Sequence, residues 1–65
     1  MSVDQALQLA LQHQEAGHGA EAADIFRQVL AIFPDQTDAL HMLGALRYAQ
    51  GDLHEAERLV RRAIE

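Results

Sequence analysis

The stretch Leu43-Gly44-Ala45-Leu46-Arg47-Tyr48-Ala49-Gln50-Gly51-Asp52-Leu53-His54-Glu55-Ala56 decides the fold of this chain. Moved back by 34 residues it falls on a weaker copy of itself, with Leu9 answering Leu43, Gly17 answering Gly51, Glu21 answering Glu55 and Ala22 answering Ala56. Asp4 with Asp38 and Arg27 with Arg61 extend the match on either side. A self-match at one fixed period, with a glycine between two apolar helical patterns, is the signature of a helix-turn-helix solenoid. That architecture points to binding rather than to chemistry.

Within the stretch and just ahead of it, Ala39, Leu40, Met42, Leu43 and Leu46 recur at helical spacing, and Gly51 is placed to close that helix. Asp52 with Glu55 has the form of a capping box, opening a helix that carries Leu53, Ala56, Leu59, Val60, Ala63 and Ile64 to the last residue, Glu65. Toward the N-terminus Pro34 is a stop, because proline disfavours helical geometry at the residue before it. Asp35-Gln36 forms the turn, with Asp35 or Thr37 as the expected cap. The helix that Pro34 ends starts near Ala20 and carries Ala22, Ala23, Ile25, Phe26, Val29, Leu30, Ile32 and Phe33; Phe26, Ile32 and Phe33 are expected in the core. Gly17-His18-Gly19 makes the turn before it. Ser2 with Gln5 is a further capping box, so the first helix starts near Val3 and lays Ala6, Leu7, Leu9, Ala10 and Leu11 along a broad apolar face. The order is helix, Gly turn, helix, Pro turn, helix, Gly turn, helix.

On these residues the chain resembles the tetratricopeptide repeat family. Leu43-Gly44 with Ala56 four residues before Val60, and Leu9 with Ala22 four before Phe26 and then Pro34, are similar to that family's pattern and its 34-residue period. The resemblance runs from about Val3 to Glu65 in two copies, repeat one over about 3–36 and repeat two over about 37–65, the second lacking a terminal Pro turn and a capping helix. It departs from the pattern where a bulky aromatic early in the first helix is replaced by Ala6 and Leu40, where the tyrosine position holds His13 and Arg47, and where Gly19 follows the turn. The fold class implied is all-α, a right-handed helix-turn-helix solenoid of two helical hairpins.

The resemblance also implies that the first helix of each hairpin lines a concave face. Counted helically, Asp4, Leu7, Leu11 and Gln14 share one stripe, and the same offsets in the second copy give Asp38, His41, Ala45 and Tyr48. These eight are the expected peptide-binding groove. Their mixture of apolar patches and acids suits an extended or helical peptide with apolar anchors and a basic residue. Basic and Asn residues that would grip a partner's C-terminal carboxylates are absent from the stripe, so a chaperone-tail clamp is disfavoured, and an acidic tail would meet Asp4 and Asp38 unfavourably.

Composition narrows the alternatives. In 65 residues there is room for one small domain, and a chain of this size buries only ~60% of its unfolded surface. Hydrophobic residues at 49% against 23% charged residues fit an all-helical folded domain rather than a disordered one. A net charge of -5 disfavours nucleic acid and anionic membranes as partners. Residues 1–38 set six acids against Arg27 alone, while residues 39–65 balance four arginines with four acids, so the two ends differ electrostatically. Without cysteine there is no disulfide, thiol catalysis or thiolate metal site. Met1-Ser2-Val3-Asp4 lacks a basic leader region and no apolar run reaches the ~20 residues of a membrane span, which makes the cytoplasm the default compartment.

Chemistry finds little support. No two of His13, His18, His41 and His54 stand three or four residues apart, and His54-Glu55 is followed by Arg58 where a zinc-protease motif would place its second His. Gly17-His18-Gly19 has no preceding strand to make it a phosphate cradle. Ser2 and Thr37 have capping roles, lysine is absent, and Glu55 and Glu57 point to different sides of a helix. Arg58, Arg61 and Arg62 form a possible anion face, but Glu57 pairs with Arg61, Glu55 neighbours Arg58, and cations near a helix C-terminus complement its dipole. No catalytic residue, cofactor or metal is expected.

Repeats cannot cover their own outward faces, and arrays usually hold about three or more with a capping helix. The expected open face comprises Leu59, Val60, Ala63 and Ile64, implying either that the chain is the N-terminal piece of a longer protein or that copies associate. The leading expectation is a non-catalytic protein-protein interaction module. The alternatives are a targeting or assembly segment of a larger enzyme, such as a bacterial glycosyltransferase or methyltransferase, and a self-associating scaffold.

Overall fold

A computed structural model describes residues 2–64, and Met1 and Glu65 lie outside it, as does the expected final step of the last helix at Glu65. The described residues form four helices, α1 (Val3–Glu15), α2 (Gly19–Ile32), α3 (Thr37–Ala49) and α4 (Leu53–Ile64). α1 pairs with α2 and α3 with α4, the two hairpins join where α2 meets α3, and α1 touches α3 only lightly.

The helix ends explain the register. Ser2 Oγ accepts from the Gln5 amide at 3.1 Å while Gln5 Oε1 accepts from the Ser2 amide at 3.0 Å, completing the expected capping box. At the other end of α1 the Gly17 amide bonds Gln14 O (3.1 Å) and the His18 amide bonds His13 O (2.7 Å), with Gly17 at φ 83°. The same pair of bonds recurs as Gly51 to Tyr48 O (3.0 Å) and Asp52 to Arg47 O (2.9 Å), with Gly51 at φ 84°. Two identical left-handed closures, 34 residues apart, place both hairpin turns.

Three boundaries differ from expectation. α2 begins at Gly19 rather than Ala20, so the connection is Ala16-Gly17-His18 with Gly19 already helical, and the His18 side chain makes no cap bond. α3 is capped by Gln36, whose Oε1 accepts from the Ala39 amide at 2.6 Å, not by Asp35 or Thr37; Thr37 is already helical. Asp52 Oδ1 accepts from the Glu55 amide at 3.2 Å, whereas Glu55 turns its carboxylate to Arg58 at 3.3 Å. α2 does stop before Pro34, with Phe33 out of helical geometry at its end (φ -125°, ψ 80°).

The core runs along the seam of all four helices through Leu7, Ala10, Ala22, Phe26, Leu40, Leu43 and Leu59, and its two largest fully enclosed side chains are Phe26 and Leu40. Alanines at the helix crossings let the backbones approach, and the leucines and Phe26 fill the space between them. Ile32 and Phe33, expected in the core, are 72% and 49% exposed. They border shallow surface depressions with Val3 at the start of α1 instead. The molecule measures 27 × 24 × 14 Å, barely thicker than one helix with its side chains, so every helix keeps a face on solvent.

Candidate interaction surface

The eight stripe residues do not share one environment. Asp4, Asp38, His41 and Ala45 are exposed, Gln14 is half-buried, Leu11 is 38% exposed and Tyr48 is 69% exposed. Leu7 is different: at 6% exposure it belongs to the core cluster that the four helices share. Leu7 is therefore a packing residue and not a groove residue.

His41, Ala45 and Tyr48 do come together, but with α4 instead of α1. They line a cleft of about 560 Å³ whose floor is Gly44 and Ala56 and whose far wall is Leu53, Glu57 and Val60. Leu11 and Gln14 do not reach it, and Asp4 borders a separate depression with Val3, Phe33 and Pro34.

The repeat explains this cleft. Thirty-four residues earlier, its lining becomes Leu7, Ala10, Leu11, Gln14, Gly19, Ala22, Ala23 and Phe26. In the first hairpin that face is covered by α3. A Cβ placed on Gly19 would stand 3.4 Å from both Leu46 Cδ1 and Gln50 Nε2, and Ala10, Ala22 and Phe26 are wholly buried. The cleft is the second hairpin's copy of the surface on which α3 sits. Leu53 was missed as a surface residue by sequence reasoning, since periodicity marks it as an apolar helical position and cannot tell a covered face from an open one, whereas Val60 was expected on the open face.

Of the expected self-association face, Leu59 is 5% exposed and part of the core, and Ala63 is half-buried against it. Val60 at 36% and Ile64 at 79% remain on the surface. Leu59 leaves that face because it points inward, toward the other hairpin's core residues.

The charged side chains are mostly spent on neighbours. Glu57 accepts from Arg61 at 2.5 Å, and Asp24 pairs with Arg27. Arg62 departs from the expected anion face: its Nη2 donates to Pro34 O at 2.6 Å and lies 3.9 Å from Asp35. His13 and His18 stack loosely with ring centroids 5.9 Å apart. Among the described residues no three His, Asp or Glu side chains gather as a metal site, and no helix is long and apolar enough to cross a membrane. What the surface offers is apolar area flanked by acids.

Comparison with known sequences agrees with this geometry. A search of curated proteins found no match to the chain. A family model described as Tetratricopeptide repeat matches residues 13–65, from the end of α1 through all three turns and α4. With four helices in two hairpins, glycine turns one period apart and that match over most of its length, the chain belongs to the tetratricopeptide repeat family.

Proposed function

We propose that this chain is a protein-protein interaction module that holds a peptide segment of a partner along the inner helices α1 and α3. The observation that carries the reading is Tyr48, an aromatic side chain left 69% exposed on α3. A large aromatic ring on a rigid helix supplies binding area at low entropic cost, which is why such residues dominate interface energetics. Leu11 gives a second apolar anchor on α1, and Asp4 and Asp38 set an acidic end that favours a basic residue in the ligand. Family membership supports the general role of binding protein partners.

The test is selection from a displayed random-peptide library. Enriched sequences should combine apolar anchors with a Lys or Arg, and Tyr48→Ala should lower their affinity by about tenfold or more. Enriched peptides that bind Tyr48→Ala as tightly as the unaltered chain would sink the groove.

A further inference from the structure

We propose that two copies of this chain pair antiparallel along α4 about a two-fold axis, each laying Leu53, Val60 and Ile64 into the other's α3–α4 cleft. The cleft repeats the surface that α3 covers in the first hairpin, and what fills that surface is a helix. A second copy offers two ways to supply one.

Stacked head to tail, α1 would take the place that α3 takes within the chain. It would then present Gln5, Ala6, Leu9 and Gln12 where α3 presents Ala39, Leu40, Leu43 and Leu46. Two carboxamides would be buried in place of Ala39 and Leu46, which is unfavourable unless they find hydrogen-bond partners. α4 has no such handicap. Leu53, Val60 and Ile64 are 59%, 36% and 79% exposed, and at about 100° per residue they fall within about 40° of one another on the helix surface.

The charges select the orientation. Glu57 and Arg61 lie one turn apart on the same flank of that stripe. A two-fold axis perpendicular to two antiparallel helices keeps like flank beside like flank. The register that sets Leu53 against Ile64 of the second copy also sets Glu57 against Arg61 of the second copy, since 53 and 64 sum to 117 and 57 and 61 to 118. Symmetry makes every such contact twice, and the contact closes on itself as a dimer instead of growing into a filament. A helix of 12 residues is only about 18 Å long, so the interface is small and associates in the micromolar range.

Light scattering and sedimentation velocity on the 65-residue chain, from about 10 μM to about 1 mM, read this directly. The expected result is a monomer passing to a dimer and no further. Ile64→Lys, at an exposed site where a cation suits the helix end, should weaken association by about tenfold or more with helix content unchanged. Glu57→Arg and Arg61→Glu should each be monomeric alone and should pair when mixed, because only the mixture sets opposite charges across the axis. A monomer throughout, growth past the dimer, indifference to Ile64→Lys, or failure of the two charge variants to pair would each overturn the arrangement. The cleft shares His41, Ala45 and Tyr48 with the proposed peptide groove, but none of the three variants alters a groove residue, so failure of the dimer leaves the peptide selection to be read on its own.

Discussion

A Cβ built on Gly44 would stand 3.0 Å from Cγ2 of Val60, tighter than most carbon contacts in proteins. α3 and α4 therefore cross at a point where only hydrogen fits without adjustment, with Ala56 O and Leu59 Cβ next nearest at 3.5 Å. Glycine inside a helix costs about 0.5–1 kcal/mol relative to alanine, so the position trades helix propensity for close approach. Gly44→Ala should leave stability nearly unchanged, because the propensity gained offsets the push on Val60, whose χ1 is stiff in a helix. In a Val60→Ala background the same substitution should stabilise by about 0.5–1 kcal/mol. Gly44→Leu should destabilise by about 1–3 kcal/mol in either background. Denaturant titrations of the four combinations give the coupling, and purely additive values would show that the two residues do not touch.

Ala22 and Ala56 occupy the same place in successive repeats and should nevertheless respond differently. Ala22 is fully buried under α3, whereas Ala56 forms part of the floor of the open cleft. Ala22→Leu is expected to cost about 1–3 kcal/mol through overpacking. At Ala56 the added atoms can extend into the cleft, so Ala56→Leu should cost less than half as much. Equal losses in melting experiments would mean that the second face is covered as fully as the first.

Leu7 and Tyr48 separate packing from binding. Removing the buried Leu7 side chain should cost about 2–3 kcal/mol, a large share of the stability of so small a domain. Tyr48→Ala, at 69% exposure, should change the melting temperature little. Thermal unfolding followed by circular dichroism measures both, and a stable Leu7→Ala variant would contradict the placement of Leu7 in the core.

Helix number, order and both glycine turns were legible because each has a local cause: Gly17 and Gly51 close their helices in a conformation that other residues adopt at a penalty, and Pro34 ends α2 by sterics. The cap at Gln36 was not, since glutamine is a poor general cap and works here only because its long side chain folds back to the Ala39 amide. The surface was harder still. Counting at helical spacing put Leu7 and Leu11 on one stripe, but about 40° of rotation separates a buried residue from one on the surface. Only the packing of the second hairpin on the first decides which is which. Ile32 and Phe33 mislead in the same way, because their apolarity says nothing about whether a neighbour reaches them.

Arg62 ties the last helix to a turn 28 residues earlier, and that link was invisible in the sequence, where Arg62 reads as one more cation at a helix end. Its guanidinium donates to Pro34 O at 2.6 Å and sits 3.9 Å from the exposed Asp35 carboxylate. A charged donor on a backbone carbonyl is stronger than an exposed ion pair, and this carbonyl belongs to the turn that sets the angle between the hairpins. Arg62→Met keeps the aliphatic stem and removes the donor, so it should destabilise by about 0.5–1.5 kcal/mol. In the dilute monomer the neighbouring Arg61→Met loses only an intrahelical pair with Glu57 and should cost about 0.3–0.5 kcal/mol. The two losses should also differ in their response to salt: raising ionic strength screens the Arg61 pair away, while the bond from Arg62 to Pro34 persists. Chemical denaturation in urea at low and high salt distinguishes them, and an Arg62→Met loss that vanishes at high salt would assign its role to Asp35 alone.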